Sequence, residues 1–69
     1  MKRSEYQEMI YAIETIEERE KELCARYIEL NPEDKARRER DRDLILLGLY
    51  SARQEIERRR KNGYIQISA

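Results

Sequence analysis

The sequence predicts an all-α fold, namely a two-helix antiparallel hairpin that dimerises into a four-helix bundle. Apolar residues recur every three or four positions through the first half of the chain, as they do along a helix that packs against other helices. A break that contains the only proline then separates this half from a second long helical segment. That segment carries more apolar surface than one packing face needs, which predicts the dimer. The 69 residues, 1–69, suffice for one domain.

The first helix is predicted to run from Ser4 to Leu30. Ser4 and Gln7 have the spacing of a capping box, in which each side chain binds the backbone N–H of the other residue. Tyr11 lies nearly opposite the apolar side when residues are placed about 100° apart. The heptad seam and the apolar stripe beside it comprise Tyr6, Met9, Ile10, Ile13, Ile16, Glu20, Leu23, Cys24, Tyr27, Ile28 and Leu30.

One acid, Glu20, interrupts this seam. In an antiparallel hairpin it lies across from the first arginines of the second helix, so pairing with Arg38 or Arg42 would fix the register of the two helices. The alternative is that its side chain reaches past the seam to water. The sequence leaves both alternatives open.

A tight turn is predicted at residues 31–34. Asn31 is a favourable N-cap, Pro32 stands at the first helical position, and the two acids that follow match the positive end of a helix dipole. The second helix is therefore predicted to span residues 32–61. Asn62 and Gly63 are predicted to end this helix. The four basic residues before them, 58–61, are favourable there because the carbonyl end of a helix carries a partial negative charge.

The second helix has an apolar run that surrounds most of its circumference. One stripe is predicted to pack on the first helix: Leu44, Ile45, Gly48, Leu49, Ala52 and Ile56. The remaining apolar residues cannot share that face, and Gly48 favours a close approach by another backbone. We therefore predict that a dimer or partner interface is formed by Leu46, Leu47, Gly48 and Tyr50. The alternatives are that rotation of the helix absorbs these side chains and that the glycine is merely tolerated.

The tail, residues 62–69, changes to β-favouring residues after the glycine. Six residues cannot form a stable strand alone. The tail therefore covers an end of the bundle, stays mobile, or adds as a strand to the sheet of a partner.

Composition limits the class of protein. The 15 basic and 15 acidic residues cancel, yet residues 4–30 carry a net charge of −5 and residues 31–69 a net charge of +3. This asymmetry favours pairing the two helices. With one cysteine and no histidine, the chain has no disulfide and almost no means to bind zinc, so self-association is the expected source of extra stability. We expect a cytoplasmic protein without membrane partners.

No catalytic constellation is recognisable in the sequence. Histidine is absent, no glycine-rich phosphate loop occurs, and a hairpin provides no cleft to separate the pKa values of two carboxyl groups. Cys24 is interpreted as a small buried hydrophobe, with a reactive thiol as the alternative. The sequence therefore predicts no enzyme and no cofactor, but a homodimeric protein-interaction module, namely an adaptor, regulator or inhibitor with an unidentified protein partner.

The alternative function is a dimeric nucleic-acid-binding regulator. Its phosphate contacts would be Arg53, Arg58, Arg59, Arg60 and Lys61, the least neutralised bases of the chain. In architecture, the predicted fold resembles small hairpin proteins that dimerise into antiparallel four-helix bundles, plasmid and viral regulators among them. No residue motif accompanies this likeness.

Overall fold

A computed structural model describes residues 3–63 and residue Ile65. In this part of the chain, helix α1 spans Glu5–Leu30 and helix α2 spans Lys35–Lys61. The all-helical prediction with two helices is therefore confirmed. Tyr64 and residues 66–69 of the predicted tail lie outside the described residues.

The start of α1 is fixed by the predicted capping box. The Ser4 Oγ atom accepts a hydrogen bond from the Gln7 backbone N–H at 3.2 Å, and the Ser4 N–H donates to Gln7 Oε1 at 3.0 Å. Two backbone donors that a helix start would otherwise leave unsatisfied are thereby paired. Ser4 is almost completely buried, so water could not replace these bonds.

The turn differs from its prediction in two respects. Pro32–Asp34 forms a separate 3₁₀ turn, so α2 begins at Lys35 and not at Pro32. Asn31 caps the end of α1 instead of the start of α2, because its Nδ2 atom donates to the Tyr27 carbonyl oxygen at 3.1 Å. Its backbone N–H donates to the same oxygen, so the residue stabilises the helix that precedes it.

The end of α2 agrees with the predicted stop. Asn62 donates its backbone N–H to the Arg58 carbonyl oxygen at 3.1 Å, and Gly63 adopts a φ of 78°. Glycine occupies this left-handed region without the steric cost that a Cβ atom imposes. The chain then turns back towards the helices, since Ile65 is buried.

The apolar core lies at one end of the hairpin. The start of α1 and the end of α2 provide Ile13 and Ile56, which are buried together with Ile65. Partly buried side chains surround this cluster, namely Tyr6, Met9, Ile10 and Leu49. With so few buried side chains, burial inside one hairpin provides limited stabilisation.

The other end, near the turn, is held mainly by polar contacts. Cys24 is the most deeply buried side chain, and its Sγ atom lies 3.8 Å from the Arg38 carbonyl oxygen. The Tyr27 hydroxyl donates to Asp34 Oδ2 at 2.8 Å, and Arg37 donates to both of them. Cys24 thus occupies the close approach between the helices, as expected of a small hydrophobe.

The Cα envelope measures 47 × 25 × 7 Å, so the two helices form a flat layer with two broad faces. In the described part of the chain, neither helix is apolar enough over a sufficient length to span a lipid bilayer.

Candidate functional site

One arginine bridges the two helices on one broad face of the hairpin. Arg53 of α2 places its Nη2 atom 3.7 Å from Glu14 Oε1 and 3.7 Å from Glu17 Oε1 of α1. One guanidinium thus joins two turns of the opposite helix across the helix–helix boundary. We call this side, defined by Arg53, Glu14 and Glu17, the bridged face.

A second polar contact joins the helices beside the core. The Tyr6 hydroxyl donates a hydrogen bond to Glu57 Oε1, and Arg60 donates to Glu57 Oε2. The hydrogen bond from Tyr6, followed by that from Arg60, lowers the pKa of the Glu57 carboxyl group. The same bond raises the pKa of Tyr6, because a phenolate cannot donate to the carboxylate.

Glu20 pairs with Arg38, which was one of the two alternatives for this residue. Arg38 Nη1 lies 2.7 Å from Glu20 Oε1, and their side chains are only 18% and 12% exposed. Arg42, the other predicted partner, instead donates to Asp43 Oδ1 on its own helix. The pair fixes the register at the middle of the hairpin.

The candidate nucleic-acid contacts are largely engaged with acids. Arg58 and Arg59 both donate to Glu55, and Arg60 donates to Glu57. These bonds lower the pKa of Glu55, chiefly through Arg58, as expected of a carboxylate beside guanidinium groups. Arg53 belongs to the bridged face, and Lys61 is exposed without an ion pair to a described residue. The bases therefore meet carboxylates along this end of α2.

The heptad seam of α1 separates into two columns with a spacing of seven residues. The column of residue 13 faces α2: Ile13 is buried, and Glu20 and Tyr27 are partly buried. The column of Ile16, Leu23 and Leu30 is turned away, with exposures of 49%, 45% and 82%. Met9, seven residues before Ile16, packs against the core, so the hairpin leaves only Ile16, Leu23 and Leu30 of this column unused.

The predicted contact stripe of α2 requires a similar correction. Ile56 is buried and Leu49 is partly buried against α1, as predicted. Leu44 and Ile45 are instead exposed, as is the small residue Ala52. The helix is rotated so that Arg38 and Arg53 lie beside the boundary, where their guanidinium groups reach carboxylates of α1.

The predicted interface residues of α2 differ in their exposure. Leu46 is partly buried, whereas Leu47 and Tyr50 are exposed on α2. Leu44 lies three residues before Leu47, on the same outward side of the helix. We call the exposed set Leu44, Leu47 and Tyr50 the outer band.

Gly48 has open space around it. A Cβ atom added there would meet nothing within 4 Å, so packing inside the chain does not require glycine. Glycine in a helix interior costs about 1 kcal/mol relative to alanine. Contacts inside the hairpin therefore give no reason for glycine at this position.

The described residues also line an open groove of about 450 Å³ on α2. All of its walls come from this one helix: Tyr50, Ser51, Gln54, Glu55, Glu57, Arg58 and Lys61. A groove on one helix is shallow and does not enclose a small molecule as most ligand sites do. Within the same part of the chain, no three histidine, cysteine or acidic side chains come together as metal ligands.

Sequence reasoning missed the exposure of Ile16, Leu23 and Ile45. It assigned the whole seam to the contact between the two helices, because both columns of a heptad seam usually pack on the partner helix. The sequence carries no local signal that separates the two columns, because both repeat every seven residues. Comparison with protein-family models, curated proteins and solved structures found no match to this chain, so its function is inferred from these surfaces.

Proposed function

We propose that the protein is a non-enzymatic protein-interaction module that acts as a homodimeric four-helix bundle. The observation that carries this proposal is the amount of large apolar surface outside the core. Both helices contribute it, including the column of Ile16 and Leu23 and the outer band. Contiguous apolar surface on a small domain usually marks a contact with another macromolecule.

Energetics support the assembly. A domain of this size rarely obtains more than about 3–5 kcal/mol from a single core, and here the core is confined to one end. Packing two flat hairpins face to face adds a second apolar layer, which is the usual architecture of four-helix bundles. The described residues contain no disulfide that could stabilise the hairpin instead, since Cys24 is buried as a free thiol.

The assembly is tested by light scattering and thermal unfolding of the full chain. A dimer has a mass of about twice 8.5 kDa, and its melting temperature rises with protein concentration, because association favours the folded state. A mass of 8.5 kDa at every concentration, with a constant melting temperature, would refute the homodimer.

The outer band is proposed as the surface for a different protein, because it points away from both the core and the boundary between the helices. Leu47→Glu should abolish recovery of a stoichiometric partner in a pull-down. Tyr11→Glu is the matched control, because it introduces the same charge at an exposed apolar residue of the other helix. Discovery of a catalytic turnover that a single point change abolishes would contradict the proposal.

Nucleic-acid binding remains the alternative, and the pairing of the arginines with Glu55 and Glu57 weighs against it. Phosphate binding requires bases whose charge is available, and it weakens steeply with salt. We expect no mobility shift of duplex DNA or RNA at low salt. A salt-dependent shift that is lost when Arg58, Arg59 and Arg60 are changed to glutamine would establish the alternative.

A further inference from the structure

We propose that two copies of the chain meet through the face opposite the bridged face, with α1 of each copy lying across α2 of the other. We call this surface the open face and define it by Ile16, Leu23, Leu30, Ile45, Gly48 and Ala52. The inference rests on the proposed homodimer and specifies its interface and its twofold axis.

The exposed apolar residues of both helices lie on the same face of the layer. Successive residues of a helix are rotated by about 100°. On α1, this rotation places Glu14 and Glu17 towards one edge of the contact stripe. It places Ile16 and Leu23 towards the other edge. On α2, Arg53 lies towards one edge and Ile45 towards the other by the same geometry. Because Arg53 contacts Glu14 and Glu17, their edges coincide, and so do the two apolar edges.

The two broad faces differ in the side chains that lie over the helix–helix boundary. A guanidinium and two carboxylates cover the boundary on the bridged face. On the open face, Ile16 and Ile45 remain 49% and 43% exposed. Charged side chains thus bridge the two helices on one side of the layer, whereas apolar side chains remain partly exposed on the other.

Charge selects a second copy as the occupant. Helix α1, Glu5–Leu30, contains eight acids and three bases, a net charge of −5, and α2, Lys35–Lys61, contains ten bases and five acids, a net charge of +5. The chain is thus its own electrostatic complement. A twofold axis parallel to the helices places every acidic helix beside two basic ones, with like charges on the diagonals of the bundle.

With the same axis, all neighbouring helices of the bundle are antiparallel, so their dipoles point in opposite directions, which is favourable. The other face-to-face arrangement, with a twofold axis perpendicular to the helices, stacks α1 on α1 and α2 on α2. It would place the two acidic helices together and the two basic helices together, which is unfavourable.

Side-chain size agrees with the parallel axis. The contacts of Tyr6 with Glu57 and of Arg53 with Glu17 show which levels of the two helices correspond, and between them Ile16 is level with the region of Gly48 and Ala52. A twofold axis parallel to the helices preserves these levels. The large side chain of Ile16 therefore lies over the small residues of the other copy, and the space above Gly48 is open to receive it.

The flat shape of the hairpin suits a face-to-face contact, because its broad faces extend over 47 × 25 Å and its Cα envelope is only 7 Å thick. Glu20 lies between Ile16 and Leu23 along α1, so its partly buried pair with Arg38 becomes more deeply buried in the dimer.

The decisive variant is Gly48→Gln, measured by light scattering and circular dichroism on the full chain. Open space around Gly48 lets the monomer accept the longer side chain, and glutamine favours helix more than glycine does. We expect helix content to be kept or raised while the mass falls from twice 8.5 kDa to 8.5 kDa. Ser51→Gln is the matched control, because this exposed residue lies outside the open face, and it should remain a dimer.

A second pair of variants separates the open face from the outer band. Leu23→Glu should dissociate the dimer, whereas Leu47→Glu should not. If Leu47→Glu dissociates it while Gly48→Gln and Leu23→Glu remain dimeric, the homodimer stands and the open face is wrong as its interface. A parent chain that is monomeric at all concentrations overturns both proposals.

Disulfide cross-linking tests the direction of the axis. In a Cys24→Ala background, Ile16→Cys and Ala52→Cys are prepared as separate proteins, mixed and oxidised. The proposed axis predicts a cross-linked dimer in the mixture, since position 16 of one copy lies near position 52 of the other. Cross-linking of the Ile16→Cys protein with itself, and none in excess of it in the mixture, would contradict the arrangement.

Discussion

Arg38 and Glu20 meet at the centre of the hairpin, where Arg38 Nη1 lies 2.7 Å from Glu20 Oε1. The contact is a close ion pair between the two helices. Both side chains are largely shielded from water. Such a pair fixes the register of two helices more reliably than it stabilises them.

The first prediction concerns this pair. Arg38→Met or Glu20→Leu alone should lower the melting temperature, because each leaves one charge without its partner in a poorly hydrated place. Replacing both residues together should restore much of the loss. The double-mutant cycle is measured by thermal unfolding, and singles whose effects simply add would contradict the coupling.

The second prediction concerns the core at the end of the hairpin. Ile56→Val should destabilise the protein by about 0.5–1.5 kcal/mol and Ile56→Ala by about 2–5 kcal/mol, because each leaves a cavity beside Ile13 and Ile65. The larger loss approaches the total stability expected for so small a domain. Chemical unfolding measures both, with Leu44→Ala as an exposed control that should change stability by less than about 0.5 kcal/mol. Equal effects at the two sites would mean that the core is elsewhere.

The third prediction concerns the start of α1. Ser4→Ala removes the oxygen that accepts the Gln7 N–H and should cost about 1 kcal/mol. Gln7→Ala should cost less, since it leaves the serine cap in place. Ser51→Ala is the control, because this serine is exposed within α2 and caps no helix. The three variants are compared by their denaturant midpoints, and an unchanged midpoint for Ser4→Ala would contradict the role of the cap.

The fourth prediction concerns acid. The pKa values of Glu57 and Glu55 are lowered in the folded state, so their contribution to stability is present above the ordinary value of 4.5. It is lost as the pH falls through the lower, folded values. The melting temperature should therefore decrease on acidification below pH 4.5, and this decrease should be smaller in Tyr6→Phe, which lacks the hydrogen bond to Glu57. An identical acid profile for the two proteins would contradict the assignment.

The contribution of Tyr6 to stability depends on pH in the opposite direction. Its pKa is raised above 10.0 by the hydrogen bond to Glu57, so its contribution is fully present below that value. The contribution is lost as the pH rises through the folded pKa. The same series of melting curves, extended to alkaline pH, measures this loss as a decrease in the melting temperature.

Local chemistry along the chain determined the helices and their ends. The capping box at Ser4 and the left-handed Gly63 depend on neighbouring residues, so the sequence predicts them directly. The start of α2 was predicted less well. Asn31 can cap either the helix before it or the helix after it, and the choice depends on whether its amide finds the Tyr27 carbonyl oxygen.

The tertiary structure decided which apolar column faces the other helix. The heptad spacing makes Ile13 and Ile16 equivalent in sequence, yet one is buried and the other is half exposed. The rotation depends on long-range contacts, above all those of Arg53 and Arg38 with carboxylates of α1. No local rule contains that information, because a guanidinium can pair with an acid on its own helix, as Arg42 does, or on the opposite one.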